Sequence, residues 1–324
     1  MTKARICIII PYYGKWPVYL PLFIDSCRSN PIIDVFLISD LSLDHVLLPD
    51  NVKLVKFELK AVLARLAGVA EIEQVDMSPS KLSDLKPVYG LMFPELIEAY
   101  DFWGYGDVDM IFGDLSRYLK PDLLERYDIL TFREEWIHGP FTILRNNDYT
   151  KNLFKLSSDY KKVFSSNINY CFDECGKKHG ILRTGVDSLD IQVPHAPNDV
   201  HCMTQVIRSE ELAGNVNIYR RTYSKESLPF NEIIWYENGK ILGAGHAEYI
   251  FYHFVWEKTL HQFIYPRWKI IPDRYFITTT GFYMHNNRLW RLTHYYRKFY
   301  GLVRKVSIRM RDSFKYRLKL GSKA

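Results

Sequence analysis

The hydrophobic residues of the first 145 positions form short continuous runs that alternate with stretches of helical spacing. Apolar runs at residues 5–10 and 35–39 predict two strands buried on both faces, and alternation at 52–57 predicts a third. Residues 19–28 and 59–68 predict helices that follow the first and third strands. This order of buried strands and helices predicts an α/β fold with a mostly parallel sheet flanked by helices.

The same alternation continues toward residue 145. Residues 86–99 predict a helix, because their apolar side chains stay close to one face. Residues 101–112 form an apolar strand-like segment with Gly-Asp-Val-Asp at its centre, and residues 128–132 and 141–145 predict two further strands. We therefore expect the sheet to be built largely within this half of the chain.

The second half carries fewer regular signals. Residues 233–236 and 240–242 flank Asn238-Gly239, and an Asn-Gly pair between two strands is a strong hairpin signal. Residues 250–255 predict a last buried strand.

Residues 285–324 differ from the rest in both pattern and charge. Apolar residues recur there with alternating spacings of three and four from Leu289 to Met310, which predicts a long amphipathic helix. The segment holds twelve Lys or Arg and one acid, although the whole chain has a net charge of only +6. Residues 1–284 therefore carry 31 basic and 36 acidic side chains, and we expect them to form one catalytic-size domain.

Composition narrows the class of protein. A hydrophobic content of 47% excludes a disordered chain, and the absence of any apolar run of about 18 residues predicts no membrane span. Five cysteines suit a reducing cytoplasm, and the apolar run that stops at Pro11 is too short for a signal peptide. We expect a cytoplasmic protein.

The sharpest chemical signal is Asp107-Val108-Asp109. Two carboxylates at i and i+2 beside a strand end point the same way across the pleat and can share a hard divalent cation. An Asp-X-Asp pair also occurs as turn or N-cap carboxylates. The preceding glycines and the binding of ligands at strand ends in open α/β sheets favour the metal interpretation. Asp114 is better explained as an N-cap.

With this stretch in place, the sequence resembles the metal-dependent GT-A-fold glycosyltransferases, and within them a bacterial family of sugar transferases from surface-polysaccharide gene clusters (capsule, O-antigen, lipopolysaccharide). The stretches that carry the resemblance lie between residues 8 and 258. They are IIIPYYGKWP (8–17), LISD (37–40), SDLKPVYG (83–90), DFWGYGDVDMIFGDL (101–115), HGPFTILRN (138–146) and YHFVWEK (252–258). The resemblance implies a GT-A-like catalytic domain over residues 1–284, with a donor half at about 1–146 and an acceptor half at about 147–284.

The resemblance implies a nucleotide site after the first two strands. Pro11, Tyr12 and Tyr13 would pack on the base and ribose, and Asp40 would accept hydrogen bonds from them. Lys86 would supply a cation for the diphosphate or the donor sugar. Alternatively, the two tyrosines are rim aromatics, Asp40 is a turn residue and Lys86 is a solvated lysine.

The resemblance also implies a metal site for Mn²⁺ or Mg²⁺. Asp109 is the first candidate ligand, and Asp107 is the second. His253 lies within an apolar strand where an imidazole needs a partner, so it is the candidate late ligand, with His246 as its rival. Lys258, five residues later, resembles the lysine that seals the diphosphate in some retaining relatives.

The acceptor needs a base if the reaction inverts the anomeric centre. Asp173 or Glu174 occupies the chain position of that base in inverting members of the fold, although an exposed acidic pair on a helix is the simpler interpretation. A zinc site is a weak alternative use of this region, with Cys171, Cys175 and His179 on one helix face and a fourth ligand such as His195 or Cys202. The candidate zinc ligands are therefore five in number: Cys171, Cys175, His179, His195 and Cys202.

The expected activity is transfer of a hexose from a nucleotide diphosphate sugar to a saccharide acceptor, with inversion favoured. The resemblance favours a UDP-linked donor such as UDP-galactose and an acceptor built on a lipid carrier. The basic segment at 285–324 would then bind the anionic inner face of the cytoplasmic membrane. Self-packing, as a homo-oligomer or on the catalytic domain, is the second interpretation, and nucleic-acid binding is not favoured.

Two other classes remain open. A non-enzymatic membrane- or nucleic-acid-binding protein would use the Asp pair structurally. A metal-dependent nucleotidyl or phosphoryl transferase is disfavoured, because no Walker-type loop or second carboxylate cluster accompanies the pair.

Overall fold

A computed structural model describes most of the chain. The described residues are 4–44, 46–73, 76–177, 193–229, 232–284, 292, 294–297, 299, 300 and 303. The few described residues after 291 are helical, and the rest of the predicted amphipathic helix lies outside the described residues.

The strands are numbered in chain order. They are β1 (Ile6–Pro11), β2 (Ile33–Ser39), β3 (Val52–Lys56), β4 (Phe102–Gly106), β5 (Met110–Phe112), β6 (Ile129–Thr131), β7 (Phe141–Arg145), β8 (Ile218–Arg220), β9 (Ser224–Lys225), β10 (Ile234–Glu237), β11 (Lys240–Leu242), β12 (Glu248–Tyr249), β13 (Phe251–His253), β14 (Arg274–Thr278) and β15 (Gly281–Tyr283).

The α-helices are short apart from three. They are α1 (Leu20–Arg28), α2 (Leu59–Ala70), α3 (Tyr89–Met92), α4 (Pro94–Ile97), α5 (Pro121–Arg126), α6 (Asp148–Asn152), α7 (Tyr160–Phe164) and α8 (Met203–Leu212). A 3-10 segment, Pro79–Val88, precedes α3, and shorter 3-10 turns lie at Leu115–Arg117, Leu153–Leu156, Val193–His195, Ala244–His246 and Glu257–Thr259.

A seven-stranded sheet forms the centre of the molecule, in the order β3-β2-β1-β4-β7-β6-β8. The pairs from β3 to β4 are parallel, as is β6 with β8, whereas β7 is antiparallel to both of its neighbours. Core side chains pack on both faces of this sheet, as the continuous apolar runs require. The predicted α/β fold with a mostly parallel, helix-flanked sheet is confirmed.

Two smaller sheets use the second half of the chain. β12-β11-β10-β14-β15 is antiparallel throughout, and its β10–β11 hairpin turns at Asn238 (φ 49°) and Gly239 (φ 78°), as the Asn-Gly signal predicts. The other sheet, β5-β13-β9, joins a strand from the first half of the chain to two from the second. It brings the Asp-Val-Asp stretch next to residues more than 100 positions away.

Two predicted elements were wrong in detail. The expected helix over 86–99 is instead the end of a 3-10 segment followed by α3 and α4, which are broken at Phe93 (φ −130°, ψ 54°). Pro94 explains the break, because proline has no N–H to continue a helix and disfavours helical geometry in the residue before it. The expected strand over 101–112 is divided into β4 and β5, which belong to different sheets.

Candidate active site

A cleft of about 330 Å³ opens at the carboxyl ends of β1 and β4. Parallel strands direct their carboxyl ends to the same edge, where open α/β sheets bind ligands. Its walls combine aliphatic, aromatic and charged side chains from four parts of the chain. The lining residues are Ile10, Pro11, Tyr12, Tyr19, Pro79, Ser80, Leu82, Ser83, Lys86, Tyr89, Gly106, Asp107, Val108, Asp109, His253, Val255 and Lys258.

Three of these residues form a group that fits a metal ion. Asp107, Asp109 and His253 each offer one ligand atom, and these atoms all lie within 4.8 Å of one another. The two aspartates lie in the irregular link between β4 and β5, so their convergence comes from the break in the strand and not from the expected pleat. His253 joins them because antiparallel pairing of β13 with β5 places it opposite Met110.

Asp109 and His253 stabilise each other's charged forms, which shifts the pKa of both. Burial alone would raise the pKa of Asp109, but His253 and Lys258 outweigh it and hold the pKa below its usual value. Burial likewise favours neutral His253, yet the carboxylates of Asp109, Glu226 and Asp107 raise its pKa to about 10. Metal binding at His253 would therefore release a proton.

The polar atoms of His253 fit a metal ligand better than a structural core histidine. Its side chain is 6% exposed, and Nε2 lies 3.3 Å from Asp109 Oδ2 without a hydrogen-bonding geometry. Neither ring nitrogen has a hydrogen-bond partner among the described residues. Two carboxylates and one imidazole are ligands that a divalent cation accepts.

Lys86 connects the metal group to a second set of acids. Its buried ammonium lies 2.8 Å from Asp107 Oδ1 and 3.4 Å from Asp173 Oδ2, and it donates to Gly139 O at 2.9 Å. Burial opposes the charge, but Asp107 and Asp173 raise the pKa of Lys86 above its usual value. Lys86 is thus a fixed cation and not a solvated surface lysine.

The two tyrosines of the nucleotide prediction lie in different environments. Tyr12 lines the cleft and stacks on Trp16, with ring centroids 5.0 Å apart and planes 11° apart. Tyr13 is buried, and its hydroxyl donates to Phe57 O at 2.8 Å. Asp40 is exposed, and neither Tyr13 nor Asp40 belongs to the cleft lining.

The predicted acceptor acids are not an exposed pair on a helix. Asp173 is buried in an irregular segment beside Lys86, and Glu174 Oε1 accepts a hydrogen bond from Gly139 N at 3.1 Å. Burial is the main cause that raises the pKa of both carboxyls, with Lys86 opposing it at Asp173 and His138 at Glu174. Neither side chain is part of the cleft lining, and their role as a base stays a prediction.

Two further candidates, Asp114 and His246, lie outside the metal group. Asp114 caps a 3-10 turn by accepting from Ser116 N at 3.1 Å, as expected. His246 is exposed and outside the metal group.

The zinc hypothesis finds no support in the described residues. Their only group that fits a metal is Asp107, Asp109 and His253, so Cys171, Cys175, Cys202 and His195 form no such group. Cys171 has a left-handed backbone (φ 53°) in a stretch of turns, so the expected shared helix face is wrong there. His179 lies outside the described residues.

A second group of residues lies behind His253, and no local pattern in the chain predicts it. Glu226 follows β9, which runs parallel to β13, and its carboxylate contacts His138 and Arg133 and lies 4.0 Å from His253 Nδ1. His138 lies within one of the motifs of the resemblance, but nothing in its local sequence indicates a partner 88 residues away.

The described residues contain no helix long and apolar enough to cross a membrane. Most of the segment 285–324, for which a membrane contact is predicted, lies outside the described residues.

Several solved structures are similar to the chain at low identity. The apo form of mouse xyloside xylosyltransferase 1 has a TM-score of 0.41 and 10% identity, covering 77% of this chain and 97% of that one. Galactosyltransferase LgtC, solved with donor and acceptor sugar analogues, has a TM-score of 0.35 and 11% identity, covering 68% and 75%. The glycosyltransferase GlyE of Streptococcus pneumoniae has a TM-score of 0.28 and 13% identity, covering 50% and 42%.

Comparison with sequences gives a firmer assignment. No curated protein sequence matches the chain. A family model, described as a family of unknown function (DUF6625), matches residues 8–286, which include every strand of the three sheets except the first two residues of β1. Because this match spans most of the chain and the whole candidate site, the chain belongs to the DUF6625 family.

Proposed function

We propose that the protein is a divalent-metal-dependent glycosyltransferase that moves a hexose from a nucleotide diphosphate sugar to a saccharide acceptor. One observation carries the proposal: Asp107, Asp109 and His253 converge in the same cleft as the ammonium groups of Lys86 and Lys258. Hard oxygen ligands, an imidazole and two cations at a strand edge are suited to a diphosphate leaving group. The cleft volume is at the lower end of the range for small-molecule sites.

The residues of this chain have separate tasks in that reaction. Asp107, Asp109 and His253 hold the metal, Mn²⁺ or Mg²⁺, whose charge stabilises the departing diphosphate. Lys258, whose Nζ lies 2.5 Å from Asp109 Oδ2, adds a second positive charge at the cleft wall. Lys86 holds Asp107 in place, so that its carboxylate is not free to rotate away.

The nucleotide would lie along the loop after β1. Pro11 and Tyr12 line the cleft, and the Trp16 ring stacked behind Tyr12 stiffens an aromatic surface for a base. Tyr13 would support this loop from below through its bond to Phe57. Asp40 would reach the nucleotide only from the rim. UDP, with galactose as the sugar, is our preferred donor on the resemblance alone.

The acceptor side favours inversion, with Asp173 or Glu174 as the base. Both carboxyls have raised pKa values, which makes them better proton acceptors than a surface acid when ionised. A loop movement would have to expose one of them to the acceptor. In a retaining reaction neither acid is needed as a base.

The resemblance also supports a biological setting, namely bacterial surface polysaccharide synthesis on a lipid-linked acceptor. The twelve basic residues of 285–324 would attract the anionic inner face of the cytoplasmic membrane. Residues 1–284 would form the catalytic domain, with donor and acceptor halves divided near residue 146.

The primary test measures donor hydrolysis and transfer with Mn²⁺ for a panel of UDP-, GDP- and CDP-sugars. We expect turnover with one nucleotide class, its loss in EDTA, and a loss of at least 100-fold in Asp109→Asn. Asp114→Asn is the matched control, because Asp114 only caps a turn. Undiminished turnover in EDTA or in Asp109→Asn would overturn the metal-dependent mechanism.

A second test addresses the base. Asp173→Asn and Glu174→Gln keep the size of each side chain and remove its charge. If one of them is the base, transfer to the acceptor falls by about 10²–10⁴-fold while nucleotide binding is kept. Normal transfer in both variants would contradict inversion by these residues and favour retention.

The alternative is a non-enzymatic membrane- or nucleic-acid-binding protein with a structural Asp pair. It predicts no turnover with any nucleotide sugar, no binding of UDP, GDP or CDP by calorimetry, and a folding defect in Asp109→Asn. The burial of Asp109 against Lys258 and His253 is the observation that this alternative would use.

A further inference from the structure

Glu226 connects one side of the candidate metal group to the protein interior. Its Oε1 contacts His138 Nε2 in a hydrogen bond and lies 4.0 Å from His253 Nδ1. Its Oε2 accepts from Arg133 Nη1. Both carboxylate oxygens of Glu226 therefore have neighbours. Oε1, which lies near both histidines, is on the Nδ1 side of the His253 ring, and Nε2 of the same ring lies toward Asp109.

His253 is buried and requires a hydrogen-bond acceptor, which the Glu226 carboxylate can provide. The imidazole is buried, and its Nδ1 has no hydrogen-bond partner among the described residues. A histidine that binds metal through one nitrogen carries a proton on the other, and that N–H requires an acceptor. Asp109 lies on the Nε2 side at 3.3 Å, whereas Glu226 lies on the Nδ1 side.

We propose that Glu226 is a positioning residue, which accepts the Nδ1–H of His253 and thereby directs Nε2 toward the metal between Asp107 and Asp109. The inference rests on the metal site of the proposed function, but it makes no use of a sugar or a nucleotide. In this role the separation of 4.0 Å between His253 Nδ1 and Glu226 Oε1 shortens to a hydrogen bond when the metal is held.

The partners of Glu226 make it a rigid support. His138 is fully buried, and its ring stacks on Phe251 with centroids 5.3 Å apart and planes 16° apart. Phe251 lies two residues before His253 on β13, so the same strand holds both histidines in a fixed relation. Arg133 lies over the Trp136 ring at 3.7 Å, which fixes the other contact of Glu226.

A purely structural role predicts a different pattern. If Glu226 served only to neutralise Arg133, replacing Glu135 should have the same effect as replacing Glu226. Glu135 also pairs with this arginine, since its Oε2 lies 3.0 Å from Arg133 Nε. No contact of Glu135 with His253 is seen within the described residues. Glu135→Gln is therefore a matched control that makes the same chemical change beside the same arginine.

The test compares Glu226→Gln with Glu135→Gln in the full chain. Mn²⁺ is titrated by calorimetry, alone and with UDP present, and unfolding of the metal-free protein is followed by circular dichroism. We expect Glu226→Gln to weaken Mn²⁺ binding about 10–100-fold, the range for such outer partners. The stoichiometry of one ion per chain and the metal-free melting temperature should stay near those of the wild type, and Glu135→Gln should bind like the wild type.

A spectroscopic measurement tests the orientation of the ring directly. In the Mg²⁺-loaded protein, the imidazole ¹⁵N resonances of His253 are assigned by their loss in His253→Gln. We expect Glu226→Gln to shift the Nδ1 resonance of His253, and Glu135→Gln to leave it in place.

The outcomes separate this inference from the proposed function. Mn²⁺ binding within twofold of the wild type in Glu226→Gln, or equal weakening in Glu135→Gln, would overturn the role of Glu226. Absence of metal binding in the wild type under both conditions would overturn it as well. Metal binding that depends on Glu226, together with no turnover of any nucleotide sugar, would support this inference while contradicting the transferase.

Discussion

Lys258 Nζ lies 2.5 Å from Asp109 Oδ2, although 149 residues separate them in the chain. Asp109 is buried, and Lys258 is one-third exposed at the cleft wall. The lysine therefore reaches from solvent to the carboxylate that is our first candidate metal ligand. Its ammonium can also contact a phosphate in the cleft without leaving this region.

The first prediction concerns this pair. Lys258→Met should weaken nucleotide diphosphate binding about 10–100-fold, because a hydrogen bond to a charged group contributes about 1.5–3 kcal/mol. Binding of the nucleoside without phosphates should change little, since Lys258 would contact only the diphosphate. Calorimetry with UDP and uridine measures the difference. Lys240→Met, at an exposed lysine of the β10–β11 hairpin, is the control. An equal loss for UDP and uridine would exclude a diphosphate role.

Much of this site was predictable because local sequence marks it. The first apolar run ends at Pro11, and the two aspartates follow the glycines at the end of β4, so these strand ends carry Tyr12 and Asp107 into one cleft. The grouping of His253 with the aspartates was predicted from the resemblance and from its place in an apolar strand. Tertiary pairing of β13 with β5 is the physical reason for that grouping.

Other features depend on contacts that no local pattern carries. Glu226 lies near His253 only because β9 pairs with β13. The local sequence around the two-residue strand β9 does not indicate that pairing. The break at Phe93 was missed because apolar periodicity outweighed Pro94 in the helix prediction. Asp173 resembles a surface acid in sequence, yet in the fold it is buried, with Oδ2 3.4 Å from Lys86 Nζ.

The second prediction concerns the effect of metal on stability. An ion that binds only the folded protein stabilises it by about 2.7 kcal/mol at a concentration 100 times its Kd. Mn²⁺ should therefore raise the melting temperature of the wild type by several degrees, and EDTA should reverse the shift. The shift should be absent in Asp109→Asn and present in Asp114→Asn. A shift that persists in Asp109→Asn would place the ion elsewhere.

The third prediction concerns the close packing at Gly139. A Cβ there would lie 2.5 Å from Asp173 Oδ2 and 2.7 Å from Glu174 Cγ, so one of these acids must move. Gly139→Ala should lower the free energy of unfolding by about 1–3 kcal/mol, the usual cost of overpacking. It should also disturb Lys86, which donates to the carbonyl of Gly139. Urea denaturation measures the change.

Gly68→Ala is the control for that experiment. Gly68 lies within α2, and a Cβ there meets nothing within 4 Å. Its replacement should raise the free energy of unfolding by about 0.5–1 kcal/mol, because alanine favours a helix. If Gly139→Ala is equally stabilising, the acids are not packed against residue 139.

The fourth prediction concerns the basic segment at 285–324. Each basic residue near an anionic membrane contributes about 1 kcal/mol, so removing four should weaken vesicle binding by roughly two to three orders of magnitude. The full-length variant replaces four residues by Gln: Arg304, Lys305, Arg309 and Arg311. Sedimentation with phosphatidylglycerol vesicles measures binding, which should also decrease with salt.

The control for the segment removes four exposed charges from residues 1–284. These residues, also replaced by Gln, are Lys60, Lys120, Lys240 and Lys269. Both variants change the net charge equally, so a loss confined to the first locates the membrane contact in 285–324. Equal losses would show that only total charge matters, and no binding by the wild type would remove the membrane from the proposal.

The fifth prediction concerns stability against pH at Glu174. Burial raises the pKa of this carboxyl above its ordinary 4.5, against the opposing charges of His138 and Lys86. The folded protein therefore binds this proton more tightly than the unfolded chain does. The stability that the group contributes is complete below pH 4.5 and is lost as the pH rises through the folded-state pKa.

Glu174→Gln isolates this effect, because the amide oxygen can still accept from Gly139 N. Its stability relative to the wild type should be nearly constant below pH 4.5 and should increase at higher pH, then level off. Urea denaturation of both proteins between pH 4 and pH 8 measures the difference. The opposite result would be a wild type that becomes more stable relative to Glu174→Gln as the pH rises. It would mean that the fold stabilises the ionised carboxylate, because His138 and Lys86 outweigh its burial.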